Sequence, residues 1–554
     1  MLKKRVSLLL SASVLALGLG WGAEIAPALA DDPADAAHAA RSTARPAPQP
    51  IERTSSGTVT VGGKTIAYQA VAGTLLVHPR SWDDSEDTVH QETPGSETHA
   101  IDGNADATAS MFYVAYFRKD ARPETRPITF VYNGGPGSSS VWLHMGAFGP
   151  RRVMTNDDTH TPASPYRLID NPQSLLDVTD LVFIDAPGTG FGRINGKDKE
   201  KLFWGVDADG QAFTRFISGF LAKYGRYNSP KYLFGESYGT LRSAVVVNDL
   251  QNQENIDFNG VILLSQILSY DNSVDEPALN PGMDEPFVLA LPTYAATAWY
   301  HHKLPQQPAE LKPFLAEVEH FASTDYLLAL QQGAALPATD RDRIVGRLHD
   351  YTGLPTDYIR RANLRIDGGE FSKTLQADSD ITTGRLDTRF SGPSLDPLSE
   401  EAGYDPQSTS ISSAYVSLFN DYTRKILGYG DGLTYRAEID IPHWDFHHAA
   451  DGPDSTPSDG PANVMPDLAQ ALKTNPTLKI MLNAGYFDLA TPYYEGIYEM
   501  QHLPIPARLQ RNIEFQQYQS GHMVYANIPS LTRLHDNIAD FIRRTDNHAE
   551  PTTP

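Results

Sequence analysis

Cysteine is absent from all 554 residues. That excludes disulfides, a thiol nucleophile and any metal site built on thiolates. Positive charge is scarce: 45 lysines and arginines stand against 68 aspartates and glutamates, a net charge of −23. A surface of that sign argues against nucleic acid and anionic lipid as partners. Beyond residue 30 no apolar run is long enough to span a bilayer. The glycine-rich runs lack the lysine of a phosphate loop. "HWDFHH" (443–448) offers His443, His447 and His448, but three histidines alone are thin ground for a metal. No metal and no organic cofactor is expected.

What is present begins with a targeting pattern. Residues 1–30 have a basic start at Lys3, Lys4 and Arg5, an apolar run, and an Ala28-Leu29-Ala30 exit. This is expected to be a signal peptide cleaved before Asp31. The chain would then be exported, to the periplasm of a Gram-negative bacterium or beyond it, with no membrane span after cleavage. Residues 31–56 are Ala/Pro-rich and polar, and read as a disordered linker or propeptide. Residues 57–77 alternate apolar and polar around Gly62-Gly63, a hairpin pattern.

The next stretches alternate in type. "MFYVAYFRK" (111–119), "PITFVYN" (127–133), "LVFIDAP" (181–187), "KYLF" (231–234) and "FNGVILLSQ" (258–266) read as strands. Residues 204–224 and 238–251 carry helical periodicity. Such alternation predicts an α/β fold with a mostly parallel central sheet and helices on both faces. The pattern lapses from 267 to 470, expected to be an inserted cap or substrate-specificity region. It returns with a strand in 477–492, a helix near 493–501, a strand at 512–518 and a helix near 530–544. The expected organisation is therefore 57–266 and 471–546 as two parts of one split α/β domain, with a disordered tail at 547–554.

"GESYG" (235–239) matches Gly-x-Ser-x-Gly. In a chain this glycine-rich the match is weak alone, with roughly 0.2 expected by chance. Its place between a strand and a helix strengthens it, because that is where the nucleophile elbow of α/β hydrolases presents its serine. A serine hydroxyl needs a base to take its proton and an acid to orient that base. In this fold the chain order is serine, acid, histidine. Asp488 follows the strand in "KIMLNAGYF", and His522 in "QSGHMVY" lies just past the next one. Both loops should open on the same sheet edge as Ser237. The developing oxyanion needs amide donors. One should be Tyr238, after the nucleophile, and the other should come from "VYNGGPGSSS" (131–140). His301 and His302, in the expected insertion, read equally as substrate contacts or as surface residues.

Taken in order, "NGGPGSSS", "DAPGTGFG", "GESYGT", "NAGYFDLATP" and "SGHMVY" resemble the serine carboxypeptidase family of α/β hydrolases. "LPTYAATAWYHHKLP" (291–305) resembles its bacterial branch. The resemblance covers about residues 110–545. It implies that Ser237 is the nucleophile, His522 the base and Asp488 its orienter, with the Gly135 and Tyr238 amides as the oxyanion hole. It further implies that Asn133, the Gly134 amide and Glu236 hold the free C-terminal carboxylate of a peptide. Two facing carboxylates repel unless one is protonated, when they share the proton. A protonated Glu236 partnered by Asn133 would therefore favour peptides with a free C-terminus, at acidic pH. This sequence departs from the family at Val131, where tryptophan is frequent, and at Ser138, where cysteine is frequent. "DAPGTGFG" is also one residue shorter than the common form. The implied function is an exported serine-type carboxypeptidase working through an acyl-enzyme. An esterase or acyltransferase on the same triad is the alternative, and a non-catalytic binding protein a third reading.

Overall fold

The computed structural model describes residues 50–79, 108–196, 199–275, 277, 280–449 and 460–547. The expected signal peptide, the linker up to residue 49 and the tail from 548 lie outside the described residues.

Each strand expected from sequence is present. β1 (Glu52–Val61) and β2 (Lys64–Val77) make the hairpin over Gly62-Gly63. β3 (Thr108–Arg118) and β4 (Ile128–Tyr132) follow. β5 (Arg151–Val153) and β6 (Leu168–Asp170) form a separate ribbon. Then come β7 (Asp180–Ile184), β8 (Arg193–Asn195), β9 (Lys231–Ser237) and β10 (Gly260–Gln266). β11 (Ile381–Thr383) and β12 (Ser391–Pro393) pair with each other. β13 (Lys479–Gly485) and β14 (Ile513–Tyr518) complete the set.

The main sheet runs β1-β2-β3-β7-β4-β9-β10-β13-β14, with β8 on β3. From β7 to β14 every pairing is parallel. β1, β2 and β3 extend the β7 edge antiparallel. This is the α/β-hydrolase sheet. Its parallel strands are near-continuous apolar runs because both faces are covered. Alternate residues feed opposite cores. Val131, Phe183, Phe234 and Ile262 join one face, packed with Leu534 and Phe541 of the helix Ile528–Thr545. Phe130, Val182, Leu233 and Leu263 join the other, packed with Phe213, Leu241 and Leu468 from the helices Val206–Tyr224, Tyr238–Asn252 and Met465–Thr474.

Between β10 and β13 the chain builds helices around a third core. Glu285–Tyr300, Leu311–Phe321 and Ala338–Thr352 bury Leu291, Val318 and Leu348 against Phe487 and Tyr493. The loop after β13 is thus held between the sheet and these helices.

One boundary is corrected. Residues 52–56, expected in the disordered linker, belong to β1 and pair with Ser56 opposite Gln69 through Glu52 opposite Gly73. Their side chains are polar and mostly exposed, so no hydrophobic alternation marks them. The long β2 ladder orders them through backbone pairing, and charge and polarity suit an edge strand. Among the described residues no helix is long and apolar enough to cross a membrane.

Candidate active site

The turn from β9 into the helix Tyr238–Asn252 forces Ser237 to φ 60°, ψ −132°. A non-glycine residue there costs of order 1–3 kcal/mol and persists only where its surroundings impose it. The glycines show what imposes it. A Cβ on Gly235 would sit 2.1 Å from the Gly239 carbonyl oxygen, and one on Gly134 would sit 2.4 Å from the Tyr238 nitrogen. Both contacts are with backbone, so the loop after β4 and the first turn of the helix meet with no room for side chains. That brings the 133–135 amides beside Tyr238. Tyr238 opens the helix, and its amide has no acceptor one turn back.

Ser237 and His522 line one cavity of about 370 Å³ together with Asn133, Gly134, Gly135 and Glu236. Asp488 lies behind His522 and is fully buried. Its Oδ2 is 2.9 Å from His522 Nδ1, which leaves Nε2 as the ring nitrogen available to the cavity. The Asp488 carboxylate is itself held. Oδ1 accepts the Ala490 and Thr491 amides at 3.0 Å each, and Oδ2 accepts the Thr491 hydroxyl at 2.8 Å. The His522 backbone is tied on both sides: its N–H donates to Leu386 O at 2.6 Å and its carbonyl accepts Ser265 Oγ at 2.7 Å. The carboxylate of Asp387 takes the Gly521 amide at 3.1 Å. Burial pulls the His522 pKa down, but the Asp488 and Glu236 carboxylates more than offset this and hold it above its usual value.

Glu236 is buried beside the serine. Burial pushes its carboxyl up to about 7, against the opposing pull of His522. Oε1 accepts the Tyr525 hydroxyl at 3.1 Å, and Oε2 is buried without a partner. Asn133 Oδ1 accepts the Leu143 amide at 3.1 Å. An N–H donor there requires the oxygen, so the Asn133 amide nitrogen is left to face other acceptors.

Two buried carboxylates outside the cavity brace it. Arg242, five residues after Ser237, reaches Asp209 through Nε at 2.6 Å and donates to the Asn133 carbonyl at 2.7 Å. One guanidinium therefore ties the helix after the elbow to the loop after β4. Asp185 in "DAPGTGFG" accepts the amide and hydroxyl of Ser140 at 2.8 and 2.6 Å, holding the far end of that loop. That gives the motif a structural task.

Sequence reasoning missed Thr491, Tyr525, Arg242 and the Leu386–Asp387 segment. Thr491 and Tyr525 lie within three residues of Asp488 and His522, so their proximity was visible, though their roles were not. The histidines of "HWDFHH" go to other work. His448 is pinned between Asp207 (2.6 Å) and Asp467 (2.8 Å), and His447 bonds Asp445 at 2.6 Å. Among the described residues no group of three or more His, Cys, Asp or Glu has metal-site spacing. His301 Nε2 lies 2.6 Å from the Thr388 carbonyl, and neither it nor His302 lines the cavity.

The fold, then, is that of an α/β hydrolase, with a serine, a histidine and an aspartate at the C-terminal ends of β9, β14 and β13. Residues 92–287 match the family model described as serine carboxypeptidase. That stretch holds Asn133–Gly135 and Glu236–Tyr238, while Asp488 and His522 lie beyond it. The chain is similar to serine carboxypeptidase S10 family member 1 of Dictyostelium discoideum, 32% identical over 24% of this chain and 30% of that protein. It is also similar to serine carboxypeptidase-like 36 of Arabidopsis thaliana, 28% identical over 28% of this chain and 31% of that protein. With serine carboxypeptidase ctsa-3.2 of Caenorhabditis elegans the identity is 26%, over 29% and 32% of the two chains. The chain thus spans about a third of the length of these curated relatives. The matches support the serine carboxypeptidase family.

Proposed function

We propose that this chain is an exported serine-type carboxypeptidase that removes the C-terminal residue of peptides. Ser237 Oγ attacks the scissile carbonyl carbon while His522 Nε2 takes its proton, and Asp488 holds the ring and balances the imidazolium. The Gly135 and Tyr238 amides receive the oxyanion. His522 returns the proton to the leaving amine as the C–N bond breaks, which leaves an ester on Ser237. Water, deprotonated by His522, then hydrolyses that ester.

The observation that carries the peptide reading is Glu236. It is a buried carboxyl with a pKa near 7 and an unpartnered oxygen, in the same cavity as Ser237 and Asn133. A protonated Glu236 binds a carboxylate; an internal peptide bond offers none. This favours acidic pH. The basic start and the Ala28-Leu29-Ala30 exit support export, and the stretch 291–305 supports a bacterial, periplasmic setting.

The test compares a blocked dipeptide with its C-terminally amidated twin and with a simple ester, using Ser237→Ala as control. Preference for the free acid at acidic pH, lost with Ser237→Ala, is expected. Ester cleavage without peptide cleavage would replace this reading by the esterase or acyltransferase.

A further inference from the structure

Glu236 has two oxygens with unlike surroundings. The Tyr525 hydroxyl donates to Oε1 at 3.1 Å, whereas Oε2 has no partner. Resting on the carboxypeptidase reading, we infer that Tyr525 is a positioning residue that acts through Glu236, keeping Oε1 an acceptor so that the shared proton sits on Oε2, toward the substrate's terminal carboxylate.

The chemistry follows from how a neutral carboxyl is built. One oxygen carries the proton and the other is a carbonyl acceptor. A hydroxyl that donates to Oε1 selects the form with Oε1 as the carbonyl. Tyr525 can keep that role at any working pH, because burial drives its own pKa well above the usual phenol value. Its ring is held in place. A Cβ at Gly146 would come within 2.7 Å of the Tyr525 ring and 2.5 Å of the Tyr415 hydroxyl, so the two rings fill the space over that glycine. The Asn133 side-chain amide, oriented by the Leu143 N–H, also pulls the Glu236 pKa down. Asn133 is the partner of Glu236 expected from sequence; Tyr525, which sequence reasoning missed, adds a hydroxyl 3.1 Å from Oε1. The titratable groups that face Glu236 are His522, Tyr525 and Tyr415, with Asp488 behind His522. Of these, His522 lowers the pKa of Glu236 and Asp488 raises it.

The test is Tyr525→Phe, which removes the donor and keeps the ring. KM and kcat are measured across pH for a free-acid dipeptide, its amidated twin and an ester. Loss of one neutral hydrogen bond should raise KM for the free acid by about threefold to tenfold at acidic pH. It should also move the alkaline rise of KM to higher pH, because a donor that favours the ionised form of Glu236 is gone. The amide and the ester should keep their kcat and KM. An unchanged KM profile for the free acid would overturn the inference. So would a parallel loss on the ester, which would mean that Tyr525 only supports the site. If the unmodified enzyme treats free acid and amide alike, the carboxypeptidase reading itself fails, whatever Tyr525 does.

Discussion

Glutamine at position 236 isolates the ionisation on which carboxylate recognition depends. Glutamine keeps the length and one acceptor of the protonated acid but cannot ionise. With the Glu236 carboxyl at about 7, nearly all of it is protonated at about pH 5, and about one part in ten at about pH 8. If only the protonated form accepts the substrate's carboxylate, KM for a free-acid peptide should rise about tenfold across that range, about 1.4 kcal/mol. kcat should follow another group. His522 must be neutral to act as base, and its raised pKa makes kcat fall on the acid side. The two profiles therefore separate, KM tracking Glu236 and kcat tracking His522. In Glu236→Gln the KM profile should flatten, and the amidated substrate should be flat in both proteins. Steady-state kinetics on the matched pair supplies the measurement. A KM that stays constant from about pH 5 to about pH 8 in the unmodified enzyme, or a glutamine variant with the same midpoint, would refute the reasoning.

Further outcomes follow from the supports of the site. Arg242→Met strands the fully buried Asp209 and frees the Asn133 carbonyl. It should cost about 3–5 kcal/mol of stability, read as a lower thermal midpoint, and pairing it with Asp209→Leu should recover part of that loss. Buried Asp249 and Glu236 both have carboxyls raised to about 7, so the native state holds protons that the unfolded chain releases near pH 4. Their contribution is complete at low pH and is lost as pH rises through about 7. The thermal midpoint should therefore be lower at about pH 8 than at about pH 5, and a midpoint that climbs over that range would count against it. His448, raised to about 10 by Asp207 and Asp467 despite its burial, stabilises fully below about pH 6.5 and loses this as pH rises through about 10. The gap in midpoint between the unmodified protein and His448→Gln should narrow over that window.

Much of this molecule could be read before any coordinates. The parallel strands are runs such as Ile128–Tyr132 and Gly260–Gln266, mostly apolar and buried throughout because both sheet faces are covered. Alternation of such runs with helical periodicity is a local property of the chain, and it prescribes a sheet whose strand ends collect on one edge. The positions just past β9, β13 and β14 were thereby brought together on paper, which is why Ser237, Asp488 and His522 could be picked out as one set. β1 escaped that reading for the converse reason, since Glu52–Ser56 carry no apolar alternation and owe their order to the partner strand. The partners of the reactive groups were beyond reach of sequence. Tyr525 meets Glu236 across 289 positions, Arg242 meets the Asn133 carbonyl across 109, and Ser265 meets the His522 carbonyl across 257. Such contacts leave no periodicity, because each depends on how helices and loops close over the sheet. The sequence by itself determined the sheet, the order of the reactive residues and the sign of the surface. Tertiary packing alone decided which oxygen of Glu236 is left without a partner, because only burial removes water and makes each remaining hydrogen bond count.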